Sequence, residues 1–424
     1  MTLRAAGSAL TALVGTLLVG LTVAGAAERA AIVRPTMPVP PDAYPIATDA
    51  RLGGDASRTR LVVDLSRTVE VAAFTLADPY RVIVDLPQIT FQLPARIGDH
   101  GRGLVRAFRY GLIMQGGSRI VIDATGPVRI EKAFVLDAVD NDPARLVLDL
   151  VSTDRDSFMR NLALESRPAR TAEPKRIDRD AKPSSDGRPL VMIDAGHGGV
   201  DSGAIAPTGE MEKNIVLEFA LALREKLEKT GKYRVAMTRS DDTFIPLNER
   251  VRLSRAAGAA LFVSIHADAI THNTAEVRGA TVFTLSETAS DTEAARLADS
   301  ENRADVIAGV DLSAEPEEVA DILIDLTQRE TKNFSLHFAR TVVGELKATA
   351  RLAKTPLKSA GFRVLKAPDV PSVLIELGYV TNKDDLKLIT SEAWRTRSAE
   401  AIAQSVNTFF STRLAGSTPG PGSN

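Results

Sequence analysis

The chain has 424 residues, 44% hydrophobic and 25% charged, the composition of a soluble globular protein of two domains and a linker, not of a disordered or collagen-like chain. A formal charge of −2 gives no bulk attraction to nucleic acid, and with one apolar run near spanning length a polytopic membrane protein is excluded. No cysteine is present, so disulfides, iron–sulfur clusters, thiol nucleophiles and cysteine zinc sites are excluded, and any metal falls to carboxylates and the five histidines.

In chain order, residues 1–26 read as a cleaved secretory signal: Arg4, an apolar run over 9–21, then the small-x-small pattern Ala24-Gly25-Ala26. The mature chain is expected outside the cytoplasm without stable membrane insertion. After a proline-rich lead, residues 47–152 carry one pattern four times: Arg60…Asp64, Arg81…Asp85, Arg119…Asp123 and Arg145…Asp149, each pair enclosing three apolar residues. Short β-branched runs bounded by turn signals predict strands, and their uneven repetition predicts a duplicated β unit, an all-β sandwich. Its histidine, His100, stands alone in a glycine-rich turn. Arg102, Arg106, Arg109 and Arg129 are read as scattered surface charge.

Residues 153–186 are polar and read as a flexible linker with a short helix over 158–164. From residue 188 strand and helix alternate. Strands are expected at 189–193, 233–238, 260–265, 279–285 and 372–376. Helices are expected at 212–229, 247–257, 293–307, 331–353 and 391–412. Val216, Ala220, Leu223 and Leu227 form the buried stripe of the first helix. This alternation predicts a three-layer α/β domain on a mostly parallel sheet over 188–412. Residues 413–424 read as a disordered tail.

In such a sheet, residues just past strand C-termini gather at the edge where ligands bind. His197, in a glycine-rich turn, His266 and Glu376 all fall there, and Glu212 begins the first helix of the domain. Two imidazoles and a carboxylate suit zinc without a thiolate. Asp194 and Asp268 are each placed to orient a ligand ring, and the sequence leaves that choice open. His272, in a polar loop, and His337, within a helix, read as structural.

The segments around His197, Glu212, His266 and Glu376, in that order, resemble zinc-dependent N-acetylmuramoyl-L-alanine amidases of the AmiC/AmiB type, over residues 188–412. Residues 47–152 resemble the AMIN domain, which precedes such catalytic domains and binds peptidoglycan. The resemblance implies zinc ligands at His197, Glu212 and His266, a catalytic Glu376, and hydrolysis of the amide between the lactyl group of N-acetylmuramic acid and L-alanine of the stem peptide. It further implies an enzyme of cell-wall remodelling and daughter-cell separation; the export signal places it in the periplasm, and with the oligomeric state open a monomer is the default expectation.

The connection between the strands at 279 and 372 is far longer than a single crossover. Residues 287–328 resemble the inserted regulatory segment of division-associated amidases, whose helix covers the active site; Glu301 then takes the open zinc position. Val319, Ile322, Leu323 and Leu326 form a stripe read as the docking surface of a LytM-type activator. Two alternatives stand beside this reading: a zinc peptidase acting within the stem peptide, and an inactive peptidoglycan-binding protein.

Overall fold

The computed structural model describes residues 44–114, 116–140, 142–164, 186–270, 278–310 and 322–416. The expected signal peptide, residues 165–185 of the expected linker, His272, the side chains of the expected docking stripe and residues 417–424 lie outside the described residues.

The β-domain comprises β1 (Ile46–Gly54), β2 (Arg58–Leu65), β3 (Ala72–Leu76), β4 (Arg81–Pro87), β5 (Thr90–Phe91), β6 (Val105–Ile113), β7 (Gly117–Ala124), β8 (Val128–Leu136) and β9 (Ala144–Ser152). They form two sheets, ordered β5-β1-β2-β9-β8 and β6-β7-β4-β3. Side chains alternate between faces along each strand, so Leu61, Val63 and Leu65 turn inward to meet Val82, Val84, Ile120, Ile122, Leu146 and Leu148 in one core. The Arg and Asp of each repeat, spaced by an even number, share the opposite face.

The four repeats are the central strand pairs. Antiparallel register sets Arg60 against Asp149 and Asp64 against Arg145 in the first sheet. It sets Arg81 against Asp123 and Asp85 against Arg119 in the second. Oppositely charged cross-strand pairs favour this register over a one-residue slip. After β9, α1 (Arg155–Leu164) starts earlier than the expected short helix, capped by Asp154 Oδ1 accepting from the Ser157 amide at 2.8 Å. Phe158 is buried on it, its ring edge-on to Tyr80 at 5.0 Å. The first turn of the expected linker is therefore docked on the β-domain.

The second domain contains β10 (Leu190–Ala195), α2 (Glu212–Lys229), β11 (Arg234–Met237), β12 (Thr243–Phe244), α3 (Leu247–Ala256), β13 (Leu261–His266) and β14 (Ala280–Leu285). The insertion region supplies α4 (Thr292–Glu301), α5 (Ala304–Ile307) and the start of α6 (Ile322–Leu346). Next come β15 (Leu352–Ala360), β16 (Ser372–Glu376), α7 (Lys383–Ile389) and α8 (Glu392–Gly416). The sheet order is β11-β10-β13-β16-β14-β15. β11, β10, β13 and β16 run parallel, β14 is antiparallel to β16, and β15 is parallel to β14.

Both faces of this sheet are covered. On one, Val216, Phe219 and Leu223 of α2, Phe338 and Val342 of α6, and Ile402 and Val406 of α8 pack on Ile193, Val263 and Ile375. On the other, Leu247, Ala294, Leu297 and Ala304 pack with Met192, Phe262, Phe283 and Leu374. Each fully buried Leu or Phe contributes about 1.5–3 kcal/mol, so both faces are substantial. The three-layer α/β architecture on a mostly parallel sheet is as expected.

Three expectations need correction. The helix expected over 293–307 is two helices, broken at Asn302 and Arg303. The helix expected over 331–353 ends at Leu346, and the chain then forms β15, a strand not foreseen. Pro356 lies where its pairing with β14 shifts register, and proline in an edge strand hides the alternating signature. The last helix runs on through Gly416, into the expected disordered tail. The short α7, capped by Asn382 Oδ1, was also not foreseen.

The two domains touch. Thr243 and Phe244 of β12 pair in parallel with Leu112 and Ile113 of β6, extending the β-domain sheet into the second domain. Among the described residues no helix is long and apolar enough to cross a membrane.

Candidate functional site

The site lies at the C-terminal ends of β10, β13 and β16. β10 runs into Gly196 and His197, and His197 adopts φ 58, a left-handed conformation rare outside glycine that concentrates at functional sites. His266 ends β13 and is in register with Glu376, the last residue of β16. A Cβ on Gly196 would come within 2.4 Å of His266 Cε1, so only glycine lets the turn lie against that ring. The His197 and His266 rings meet edge to face, centroids 4.9 Å apart.

Glu212 opens α2, where a negative charge suits the helix N-terminus. Its carboxylate is fully buried and fixed from both sides: Oε1 accepts the Ala267 amide at 2.8 Å and Oε2 the Ala204 amide at 2.9 Å. Glu212 Oε1 lies 3.1 Å from His197 Nε2 and 3.3 Å from His266 Nδ1. Glu301, the last residue of α4, brings Oε2 to 3.1 Å from His266 Nδ1 and 3.4 Å from His197 Nε2. Both ring nitrogens are buried without a properly angled hydrogen bond.

Two imidazole nitrogens and a carboxylate oxygen therefore converge, within 4.8 Å of one another, without satisfying one another by hydrogen bonds. Buried polar atoms are normally paired, and this geometry fits a shared divalent cation. His197, Glu212 and His266 could thus hold a metal.

The electrostatics agree. Burial alone would lower the His197 imidazole, but Glu212, Asp201 and Glu301 outweigh it and hold it well above the ordinary range. His266 is pushed up to about 10 against its burial, by Glu301 and Glu212. Burial first, then Glu301 and Glu212, pushes Asp268 to about 8. Burial likewise raises Glu376 well above a normal carboxyl, His266 opposing and Glu212, Asp268 and Glu301 adding to it. The pocket holds more carboxylates than fixed cations and compensates with protons, the excess charge that a divalent ion would neutralise.

Glu376 Oε2 accepts the Asp268 amide at 3.1 Å, while Oε1 is buried with no hydrogen-bond partner. Of the two aspartates considered as ring orienters, neither bonds a ring. Asp194 accepts from Thr238, Arg250 and Ser264, and Asp268 Oδ1 accepts the amide of Ala269. The ring of His197 is instead oriented by Asp201, whose Oδ2 accepts from Nδ1 at 2.9 Å. Sequence reasoning missed Asp201, although it stands one helical-turn spacing after His197 in the same glycine-rich segment.

Arg250 and Arg239 were also missed. Arg250, 1% exposed, donates to Asp194 and to the carbonyls of Ala195, His197 and Ile245. Arg239 donates to the carbonyls of Ala195, Gly196 and Lys213. Together they tie down the turn that carries His197. His337, in α6, lies near the Phe409 ring and far from this chemistry, and His100 sits in a β-domain turn.

Comparison with known proteins gives matches over both domains. The family description N-acetylmuramoyl-L-alanine amidase matches residues 191–408, and AMIN domain matches residues 49–150. N-acetylmuramoyl-L-alanine amidase AmiC of Neisseria meningitidis serogroup B is 34% identical, covering 87% of this chain and 91% of its own. N-acetylmuramoyl-L-alanine amidase AmiA of Escherichia coli K12 is 40% identical over 53% of this chain and 78% of its own. The solved N-acetylmuramoyl-L-alanine amidase from Clostridium difficile 630 aligns at 25% identity with TM-score 0.39, covering 53% of this chain and 98% of that one.

Proposed function

The chain belongs to the N-acetylmuramoyl-L-alanine amidase family and hydrolyses peptidoglycan, and on that premise we propose that His197, Glu212 and His266 hold a catalytic zinc ion and that Glu376 is the general base and acid. The observation that carries this is the convergence of His197 Nε2, His266 Nδ1 and Glu212 Oε1 in a buried pocket without mutual hydrogen bonds.

Zinc held there supplies Lewis acidity toward the scissile carbonyl and the attacking water. Glu376 accepts a proton from that water as its oxygen bonds to the lactyl carbonyl carbon. As the carbon–nitrogen bond breaks, Glu376 returns the proton to the leaving nitrogen. The products are a lactyl carboxylate on the glycan and a stem peptide with a free L-alanine amine. Asp201 holds the His197 ring, and the Ala267 and Ala204 amides hold Glu212.

Glu301 is the built-in inhibitor in this reading. Its carboxylate, 7% exposed, stands beside both imidazoles where water or a substrate carbonyl would have to enter. Full activity then requires α4 to leave, with a LytM-type activator docking on residues 287–328 as the trigger. The leader over residues 1–26 supports export to the periplasm, where a monomeric enzyme of this kind works in cell-wall remodelling and daughter-cell separation.

The test combines metal analysis with digestion of purified sacculi by wild type, Glu376→Ala and Glu301→Ala. Expected are stoichiometric zinc in all three, no release by Glu376→Ala, and higher basal release by Glu301→Ala. Products should be intact stem peptides with free L-alanine amines beside uncut glycan strands. Absence of metal, or cleavage inside the stem, sinks the assignment. Glu301→Ala is cleaner than deleting 287–328, because Ala294, Leu297 and Ala298 of α4 are part of the core.

A further inference from the structure

One face of the β-domain, carrying Arg81 and Arg119 of the repeats together with Arg109, has an occupant. Two residues past the end of α5 stands Gly309 at φ 67, with Val310 N–H donating to Asp305 O at 2.8 Å and Gly309 N–H to Val306 O at 3.1 Å. This left-handed glycine cap satisfies two terminal carbonyls within the helix and leaves those of Ile307, Ala308 and Gly309 pointing outward.

The β-domain takes them. Arg109 Nε donates to Ile307 O at 2.7 Å. Arg119 Nη1 donates to Ala308 O at 3.2 Å and Gly309 O at 2.9 Å, and Arg81 Nη1 donates to Val306 O. The guanidiniums are held in place from behind, Arg109 by Asp123 and Arg119 by Asp85, each at 2.6 Å. Gly309 lies on the apolar centre of the same face: a Cβ there would come 2.3 Å from Ile83 Cδ1. Ile83 and Val121 point away from the sandwich core yet are fully buried.

The far side of α5 is tied to the catalytic domain, where buried Asp305 accepts the Leu247 amide at 2.9 Å at the start of α3. α5 follows α4 after only Asn302 and Arg303, so whatever grips α5 also sets the position of Glu301. A cleft of about 360 Å³ lined by Tyr80, Arg81, Arg106, Arg109, Val306 and Ile307 opens beside these bonds. The Arg109–Ile307 end of the contact therefore lies at an opening while Ala308 is buried, which suits a grip that can be released from that end.

We propose that the β-domain is the latch of the inserted plug: the arginine face of β4, β6 and β7 grips the carbonyl end of α5 and so keeps Glu301 among the side chains of His197, Glu212 and His266. The proposal rests on the reading of Glu301 as inhibitor. It makes the β-domain part of the catalytic control, in addition to any wall binding.

Two full-length variants test it. Arg81→Ala with Arg109→Ala removes two grips and keeps the Arg119–Asp85 pair. Gly309→Val places a branched side chain against Ile83 while leaving every β-domain residue in place. Charged hydrogen bonds to carbonyls are the stronger kind, and a side chain at Gly309 collides with Ile83, so each variant is expected to raise sacculus hydrolysis without activator about ten-fold. Amide exchange at 304–310 should rise with it, while exchange in β2 and β9 stays at the parental rate. Combining the two changes should add little, because they break one contact. If Glu301→Ala is active but both latch variants stay at the parental basal rate, the latch is overturned and the plug stands. If Glu301→Ala is also idle, the plug reading fails and the latch with it.

Discussion

Nδ1 of His197 donates a hydrogen bond to Asp201 Oδ2 at 2.9 Å, and this leaves Nε2 as the nitrogen facing Glu212 Oε1 at 3.1 Å. The carboxylate chooses the tautomer and the tilt of the ring in one contact. Asp201→Ala is therefore expected to weaken metal binding about 10- to 100-fold while the protein stays folded. Competition with a chromogenic chelator reads this directly, and unchanged affinity would remove Asp201 from the site.

Glu376→Gln keeps the shape and the acceptor for the Asp268 amide but cannot take a proton. Loss of a general base costs about 10²–10⁴ in kcat. Release of stem peptides from sacculi should fall by that factor, with zinc content and melting temperature at wild-type values. A variant that retains most of its rate would move the base elsewhere.

Metal removal should also be felt as stability, because a ligand that binds only the folded state stabilises it by about 4 kcal/mol at a thousand times its Kd. Dialysis against a strong chelator is expected to lower the melting temperature by roughly 10 °C and abolish hydrolysis, with zinc restoring both. Equal melting of treated and untreated protein would speak against a bound ion.

Arg250→Ala strands Asp194, a carboxylate with no exposed surface, without its guanidinium partner. Breaking one side of a buried pair costs about 3–5 kcal/mol. The urea midpoint should drop accordingly, and hydrolysis should fall further because Arg250 also holds the carbonyl of His197. A shift below 1 kcal/mol, roughly the value of a surface pair, would contradict the burial argument.

Asp291 caps α4, its carboxylate accepting the Ala294 amide at 2.8 Å, and it also pairs with Lys358. Losing such a cap costs about 1 kcal/mol, about five-fold in an opening equilibrium. Asp291→Ala should raise basal hydrolysis by that modest factor and leave the activated rate unchanged.

The parts of this protein legible in the sequence are those with local periodicity or a local turn signature. The Arg…Asp repeats announced β2, β4, β7 and β9, and the stripe Val216, Ala220, Leu223 and Leu227 announced α2 over Glu212–Lys229. β15 escaped because it is a half-exposed edge strand interrupted by Pro356, and α7 because it is a short helix set by one capping residue. His197, Glu212, His266 and Glu376 could be named from motif order alone. Asp201 was passed over for Asp194 and Asp268; the place of Asp194 beneath the turn, bonded to Arg250, Thr238 and Ser264, is a matter of packing.

The amino-acid order by itself determined most of the strands and helices, the two domains and the candidate metal-binding residues, because each depends on neighbours within a few positions. Only the tertiary structure decided which carboxylate meets which imidazole, that Asp201 orients the His197 ring, and that Arg81, Arg109 and Arg119 close on the end of α5. Those contacts join residues far apart in the chain, and a charge or an unpaired carbonyl carries no sequence mark of the partner that burial will bring to it.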